Sequence, residues 1–386
     1  MGVAFNGDPR SPATFSGIPY GVMTGLLSNG AEPVPLDASI PKTAERALCA
    51  ALSARHLRAA ARRRGRSGAW GLARAAAQVS PPVARASTAA LSARLKRAGQ
   101  LDGLIQIGSA YRVSAEAPVV TFDDLIVPQA LGYPYEHWAV LGARDVASRF
   151  ALQDEGFRRA RAVCTTSSWV ARATAEHYGV PSERLRVVGI GNTHAPRAPE
   201  RDWSVPRFLF VGLDWQRKNG PAVLEAFARV RREHPDSRLD VVGGHPPLDA
   251  AGVSGHGVLA RGRPADRERL VALYDAATCF VLPSRWEPSA ISYTEALSAG
   301  IASIGSTVGG SADLIGDGGV VVDPFDQGAV EAAMLRLADP EEAARLGRAA
   351  TARSSLFTWG AVTRRLLRAL GLGWEDTEFL PLIGAR

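Results

Sequence analysis

Short apolar runs hand over to amphipathic stretches again and again along this chain, and they do so in two series. The first opens with a strand in MGVAFNG, a loop, and a helix between Pro19 and Gly30, since proline suits a first helical turn and glycine a stop. Val34 to Leu36 can form a second short strand. A mostly helical segment follows, interrupted at Gly65 to Gly68 and at Pro81 and Pro82. Strands are predicted at Gly103–Ile107, Val119–Phe122, Ala162–Thr166 and Leu185–Ile190, with helices at about Asp145–Arg159 and at Ser168–Tyr178. A loop rich in aromatics, from Tyr133 to Trp138, lies between. The second series begins behind a proline-rich linker from His194 to Pro206. It has strands at Phe208–Val211, Leu239–Val242, Cys279–Leu282, Ile301–Ile304 and Val320–Val322. Its helices start at Pro221 and at about Asp266, and further helices follow the last strand. Repeated strand-to-helix handover predicts parallel α/β sheets, whose ligands bind beyond the carboxyl ends of the strands.

One stretch, Thr278 to Gly310, concentrates the candidate chemistry. Glu287 and Glu295 stand eight residues apart, Pro288 reads as a helix start and Gly300 as its stop, which predicts a helix of about three turns. Glu287 then sits at the helix mouth and Glu295 roughly 12 Å along it, a span comparable to a sugar diphosphate. Free N–H groups at Ser289 to Ile291 would make an anion site at that mouth. A solvated helix with two surface glutamates has the same pattern. Arg217 and Lys218, in the loop GLDWQRKNG ahead of the helix at Pro221, could both reach a diphosphate, though ordinary surface charges look alike. In the first series, Ser16 and Gly17 lie at a strand-to-helix switch where backbone can approach a phosphate. Asp123 and Asp124 stand at a strand end, in position for a substrate role or for capping a turn.

Length and composition fit this picture and narrow it. A chain of 386 residues, 46% apolar, can fill two cores. It lacks a run of about 18 apolar residues and a basic-then-apolar N-terminus, so the expectation is a cytoplasmic protein. Cys49, Cys164 and Cys279 have no metal-ligand spacing and are expected to be reduced core residues. The net charge of +7 is uneven: residues 41–100 hold thirteen Lys and Arg against one acid, Glu45, so that the segment is +12 and the remainder −5. Such a segment permits peripheral contact with an anionic membrane or acceptor, and an arginine- and alanine-rich helical surface without a partner is its plain counterpart. Nucleic acid is not expected, because the segment has one aromatic, Trp70, and no nucleic-acid-binding motif.

Taken together, FVGLDWQRKNG (Phe210 to Gly220), VVGG (Val241 to Gly244), LYDAATCFVLPSRWEPSAISYTEALSAG (Leu273 to Gly300), Gly309-Gly310 and FTW (Phe357 to Trp359) resemble a retaining glycosyltransferase of family 4, with its E-x(7)-E signature. The resemblance covers about 160 residues of the second half. It is looser in the first, through FSGIPY, SSWVA, HYGV and GIGN. It implies a GT-B fold: two Rossmann-like domains facing across a cleft, at 1–195 for the acceptor and 206–358 for the nucleotide sugar, with the last helix, 359–386, crossing back to the N-terminal domain. The implied activity is metal-independent, retaining transfer of a hexose from a nucleotide-diphosphate sugar, with no cofactor, to a small-molecule, glycan or lipid acceptor.

By the same resemblance, Arg217 and Lys218 bind the donor diphosphate, Glu287 the transferred sugar and Glu295 the ribose. Ser289, Ala290 and Ile291 supply backbone donors, Gly17 closes on the diphosphate, and Gly212, Arg263 and Ser284 complete the donor set. Asp123 or Asp124 would lie near the reacting sugar, and the acceptor near Tyr133 and His137. There are departures. Pro288, Ser289 and Ala290 stand where the family commonly has glycines around an aromatic, Leu213 replaces an arginine, and Ser311-Ala312-Asp313 replaces a usual proline and glutamate. A catalytically silent sugar-nucleotide-binding partner protein, or another GT-B enzyme such as a sugar-nucleotide epimerase or a phosphorylase, is the competing reading.

Overall fold

The computed structural model describes residues 1–133, 135–192, 200–260 and 262–382. The linker reading therefore lies outside the described residues as far as residue 199. Clustering of contacts divides the chain into two units. One comprises Met1–Thr166, Val170–Val188 and Thr363–Leu382; the other comprises Ser167–Trp169 and Gly189–Val362.

The first unit is built on a parallel sheet of β1 (Gly2–Phe5), β2 (Val34–Asp37), β3 (Leu104–Ile107), β4 (Val119–Asp123), β5 (Ala162–Thr165) and β6 (Leu185–Val187), in the order β2-β1-β3-β4-β5-β6. The central strands are mostly apolar, as burial on both faces of such a sheet calls for. Val3, Ala4, Leu104, Ile105, Val120 and Val163 are all fully buried. From Thr363 onward the last helix, Trp359–Leu370, belongs to this unit. Asn29 donates to Thr363 Oγ1 at 2.8 Å, and Arg365 donates to the Val188 carbonyl at 2.9 Å.

The basic segment forms a helical hairpin between β2 and β3. The run Lys42–Gln78 is helical except at Gly65, whose φ of 69° and ψ of 179° turn the chain back on itself. Ala60 packs with Ala69, Leu72, Ala73 and Ala76, while Cys49 and Leu52 pack with Ala77 and Val83, a pairing that requires antiparallel arms. The expected interruption over Gly65 to Gly68 is thus a one-residue reversal. The expected interruption at Pro81 and Pro82 is present: the helix ends at Gln78, and the two prolines begin the next one, Pro81–Ala98.

The second unit holds β7 (Arg207–Gly212), β8 (Arg238–Gly243), β9 (Val253–Gly257), β10 (Cys279–Val281), β11 (Ala302–Ser306) and β12 (Gly319–Val322), parallel and ordered β12-β11-β10-β7-β8-β9. This is the doubly wound order, with its topological switch between β7 and β10, where such sheets place their ligands. Strand β9 went unpredicted: its sequence, VSGHG, has neither apolar alternation nor β-branched content beyond Val253. One short helix, Val127–Gly132, likewise precedes the aromatic loop, and another, Glu136–Ala139, takes up its second half. The three cysteines are buried and unbridged, as expected.

One prediction needs correction. The helix after β10 runs Ile291–Ser298, eight residues, and Ala290 is its extended N-cap. Pro288 is therefore not its first residue, the helix has about two turns, and its free N–H groups begin at Ile291 and not at Ser289. Pro288 to Ala290 form a lead-in that is not helical, so the helical rise from Glu287 to Glu295 does not apply.

Candidate functional site

At the switch point, the loop after β7 and the loop after β10 meet. The first loop turns tightly, with Lys218 N–H donating to the Asp214 carbonyl at 2.8 Å and Gly220 N–H to that of Trp215 at 3.0 Å. Gly212 ends β7, and a Cβ there would lie 2.8 Å from Lys218 Cγ, so the bare backbone makes room for the lysine stem. Arg285 N–H donates to the Arg217 carbonyl at 2.9 Å and joins the loops.

The joined loops bring three charges together. Lys218 Nζ donates to Glu287 Oε2, and Arg217 Nη1 lies 3.5 Å from the same oxygen and 2.7 Å from the Trp286 carbonyl. Lys218 and Glu287 are 9% and 5% exposed. Burial lowers the Lys218 pKa, the neighbouring Glu287 carboxylate opposes that shift, and Arg217 adds to it. A third cation, Arg285, donates from Nε to Asn219 Oδ1 at 3.1 Å, and Asn219 Nδ2 donates to the Pro324 carbonyl at 2.7 Å. Arg217 pairs with Glu287 and with the more exposed Asp214, and Lys218 pairs with Glu287, while Arg285, held by Asn219 and stacked 5.9 Å over the Phe325 ring, brings the loops to three cations against two carboxylates. An anion of high charge density is its natural ligand.

The Gly309-Gly310 turn clamps Glu287 from the far side. Gly310 N–H donates to the Glu287 carbonyl at 3.0 Å, and a Cβ on Gly309 would lie 1.9 Å from that oxygen. Gly309 also has a φ of +106°, outside the comfortable range of other residues. Gly309→Ala is expected to cost roughly 1–3 kcal/mol, measurable by denaturant unfolding, and to weaken nucleoside-diphosphate binding in parallel.

The remaining expected donor residues have mixed surroundings. Glu295 is 1% exposed and accepts from the Tyr274 hydroxyl at 3.0 Å. Ser284 is fully buried with its hydroxyl unpartnered among the described residues. Ala290 and Ile291 are buried and Ser289 is half-buried, whereas Arg263 is exposed just before the helix Pro264–Ala276. Sequence reasoning missed Asn219 and Arg285. The only available signal was an asparagine just before Gly220-Pro221, where it adopts a left-handed conformation with φ of 65°.

The first unit carries its own polar features. Phe15, Ser16 and Gly17, past the end of β1, all have positive φ, with Gly17 the N-cap of the helix Ile18–Ser28. Such a run of strained positions turns successive amides and is an anion-binding geometry. Asp123 ends β4 at 2% exposure, and burial, helped by Asp124 and opposed by the Thr121 hydroxyl, raises its pKa to about 8. Asp124 is half-buried. Tyr133 is buried and stacks on Tyr135 at 6.1 Å. His137, its pKa lowered by burial, touches Tyr135 and Trp138, and Arg149 lies 5.7 Å over the Trp138 ring. The aromatic loop is thus a continuous ring cluster.

Residues 205–339 match the family model described as glycosyl transferases group 1. The chain is 35% identical over 148 residues to a GDP-mannose-dependent alpha-(1-6)-phosphatidylinositol monomannoside mannosyltransferase of Mycolicibacterium smegmatis, covering 34% of this chain and 38% of that one. It is 31% identical over 225 residues to a glycogen synthase of Mycobacterium tuberculosis, covering 53% and 52%. It is 30% identical over 231 residues to a D-inositol 3-phosphate glycosyltransferase of Acidothermus cellulolyticus, covering 52% and 51%. The aligned part thus spans about half the length of these relatives, or less. Among solved structures, sucrose-phosphate synthase from Thermosynechococcus elongatus superposes with a TM-score of 0.57 at 21% identity, over 73% of this chain and 76% of that one. WaaG, a glycosyltransferase involved in lipopolysaccharide biosynthesis, superposes with a TM-score of 0.55 at 19% identity, over 75% and 82%. With two doubly wound parallel sheets, the chain has the two-domain, Rossmann-like GT-B fold, and the match to the group 1 glycosyl transferase model lies over residues 205–339, in its second unit.

Proposed function

We propose that this protein transfers a sugar from a nucleotide-diphosphate donor to an acceptor hydroxyl, with retention and without a metal. The observation that carries the proposal is the Arg217–Lys218–Glu287 cluster at the switch point of the second unit. As the bond between sugar and diphosphate breaks, negative charge grows on the leaving phosphate. Arg217 and Lys218 meet that charge directly, and the first N–H groups of the helix Ile291–Ser298 add a fixed positive end. Glu287 holds both cations before the donor arrives and receives the hydroxyls of the transferred sugar once the diphosphate has taken them over. In a retaining step the acceptor hydroxyl attacks from the leaving group's own face and passes its proton to a phosphate oxygen. That mechanism requires no side chain as general base. A glycan or lipid-linked acceptor is the proposed second substrate.

The Pro288–Ser289–Ala290 lead-in, which stands where the family commonly has glycines and is not helical, favours a second reading, a silent sugar-nucleotide-binding protein, because it alters the backbone that would face the transferred sugar while leaving Arg217, Lys218 and Glu287 in place. Incubation with a panel of labelled nucleotide sugars, with and without acceptors and read by mass spectrometry, separates the two. Transfer or donor hydrolysis supports the enzyme; donor binding alone supports the silent protein; interconversion of donor sugars points to an epimerase. Lys218→Ala is expected to weaken nucleoside-diphosphate binding about 10- to 100-fold in titration calorimetry, as loss of a charge-assisted contact does.

A further inference from the structure

The helical hairpin between β2 and β3 has no role in donor chemistry, yet it holds nine Lys and Arg against one acid, Glu45. Its outer surface is organised in rows. On the second arm Arg66, Trp70 and Arg74 are spaced i, i+4, i+8 and are all exposed, Trp70 at 51%. On the first arm Lys42, Arg46 and Ala50 have the same spacing and are exposed too. The rows run side by side. Arg46, Ala50, Trp70 and Arg74 line one hollow of about 440 Å³, and Lys42, Glu45, Arg46, Cys49, Arg74 and Gln78 line an adjoining one of about 240 Å³. At the reversal, Arg62, Arg63 and Arg66 are exposed, while Arg64 is tied to Glu136. Glu45 is the single acid of the segment.

We infer that this hairpin is a docking surface for an anionic phospholipid bilayer. Charge complementarity gives the sign of the partner: Lys42, Arg46 and Arg74 line hollows wide enough to admit phosphate headgroups, and the exposed Arg66 stands one turn beyond Trp70. The exposed Trp70 ring gives the kind of partner. A tryptophan standing among arginines belongs at the boundary of headgroup and acyl chain, where its apolar body and polar N–H are both satisfied. Cations at that boundary are attracted by the negative surface potential within a Debye length, so the contact is peripheral and sensitive to salt. No helix of the described residues is long and apolar enough to cross a membrane. A single-stranded nucleic acid would need a series of rings for its successive bases, and the segment offers one, Trp70.

The test is co-sedimentation of the full chain with vesicles of phosphatidylcholine alone or of phosphatidylcholine with phosphatidylglycerol, at low and at raised salt. Binding is expected only to the anionic vesicles, falling steeply with salt. The Arg66→Ala/Arg74→Ala variant is expected to bind about 10-fold or more weakly, and Trp70→Ala to lose a further several-fold. The Arg267→Ala/Arg348→Ala variant removes the same charge from exposed positions of the second unit and is expected to bind like the parent. Circular dichroism and thermal unfolding verify that each variant is folded. Three results would overturn the inference: no binding to anionic vesicles at low salt, equal loss in the Arg267/Arg348 control, or retention on heparin without vesicle binding.

Discussion

Glu287→Ala is expected to lower sugar transfer by about 100- to 1,000-fold, the range seen when a group stabilising the transition state is removed. It should also lower stability, because Lys218, 9% exposed, would keep its charge in a buried position with no carboxylate beside it. Breaking a buried pair from one side costs about 3–5 kcal/mol. Arg217 keeps the Trp286 carbonyl and Asp214 as partners, so the loss should fall toward the lower end. The two effects can be separated. Adding Lys218→Met to Glu287→Ala removes the stranded charge and should recover most of the stability while transfer stays lost. Denaturant unfolding reads the first effect and labelled-donor turnover the second. Near-normal turnover of Glu287→Ala would sink the assignment of the site.

Asp123→Asn is expected to stabilise the first unit and flatten its dependence on pH. The Asp123 carboxyl is 2% exposed, and burial, with Asp124 nearby, outweighs the Thr121 hydroxyl and raises its pKa from the ordinary 3.8 to about 8. Below pH 4 folded and unfolded chains are both protonated here, and the group carries no penalty. Between pH 4 and 8 only the folded chain binds the proton, so stability declines as pH rises, by up to about 1.4 kcal/mol per unit. Above pH 8 the full penalty of a buried carboxylate is present. At pH 7 the slope integrates to roughly 4 kcal/mol, and the unpaired amide of asparagine returns about 1–3, leaving a gain of roughly 2. Urea unfolding at about pH 5 and about pH 8 tests this. If parent and variant show the same pH slope, the ionisable group lies elsewhere.

Much of this architecture is legible in the chain because its causes are local. The strand at Phe208–Val211 is a run of apolar residues bounded by Arg207 and Gly212, and burial on both faces calls for that pattern. The helix Ser168–Tyr178 has the bounds read from its sequence. Where local signals fail, a tertiary contact has taken over. VSGHG becomes a strand only because β8 offers it an edge to pair with. Pro288 resembles a helix start, but the Glu287 backbone is bridged to Gly309, which keeps the following residues extended until Ile291.

The candidate site divides the same way. Arg217, Lys218, Glu287 and Glu295 were visible as residue types at suggestive spacings. That Lys218 and Glu287 form a buried pair was not visible, since they are 69 residues apart in sequence and meet only when β7 and β10 become neighbours. Nor was the part of Asn219, which ties Arg285 to the turn at Pro324 across the ends of three strands. Sequence by itself determined the two α/β series, the segregated charge of residues 41–100 and the chemical groups available for a nucleotide sugar, because periodicity and composition act over a few turns of chain. The tertiary structure decided which of those groups share a site, that the basic segment folds into a hairpin at Gly65, and that Asp123 is buried beside a second carboxylate. Burial and charge pairing depend on what lies across the fold, which no local stretch of sequence contains.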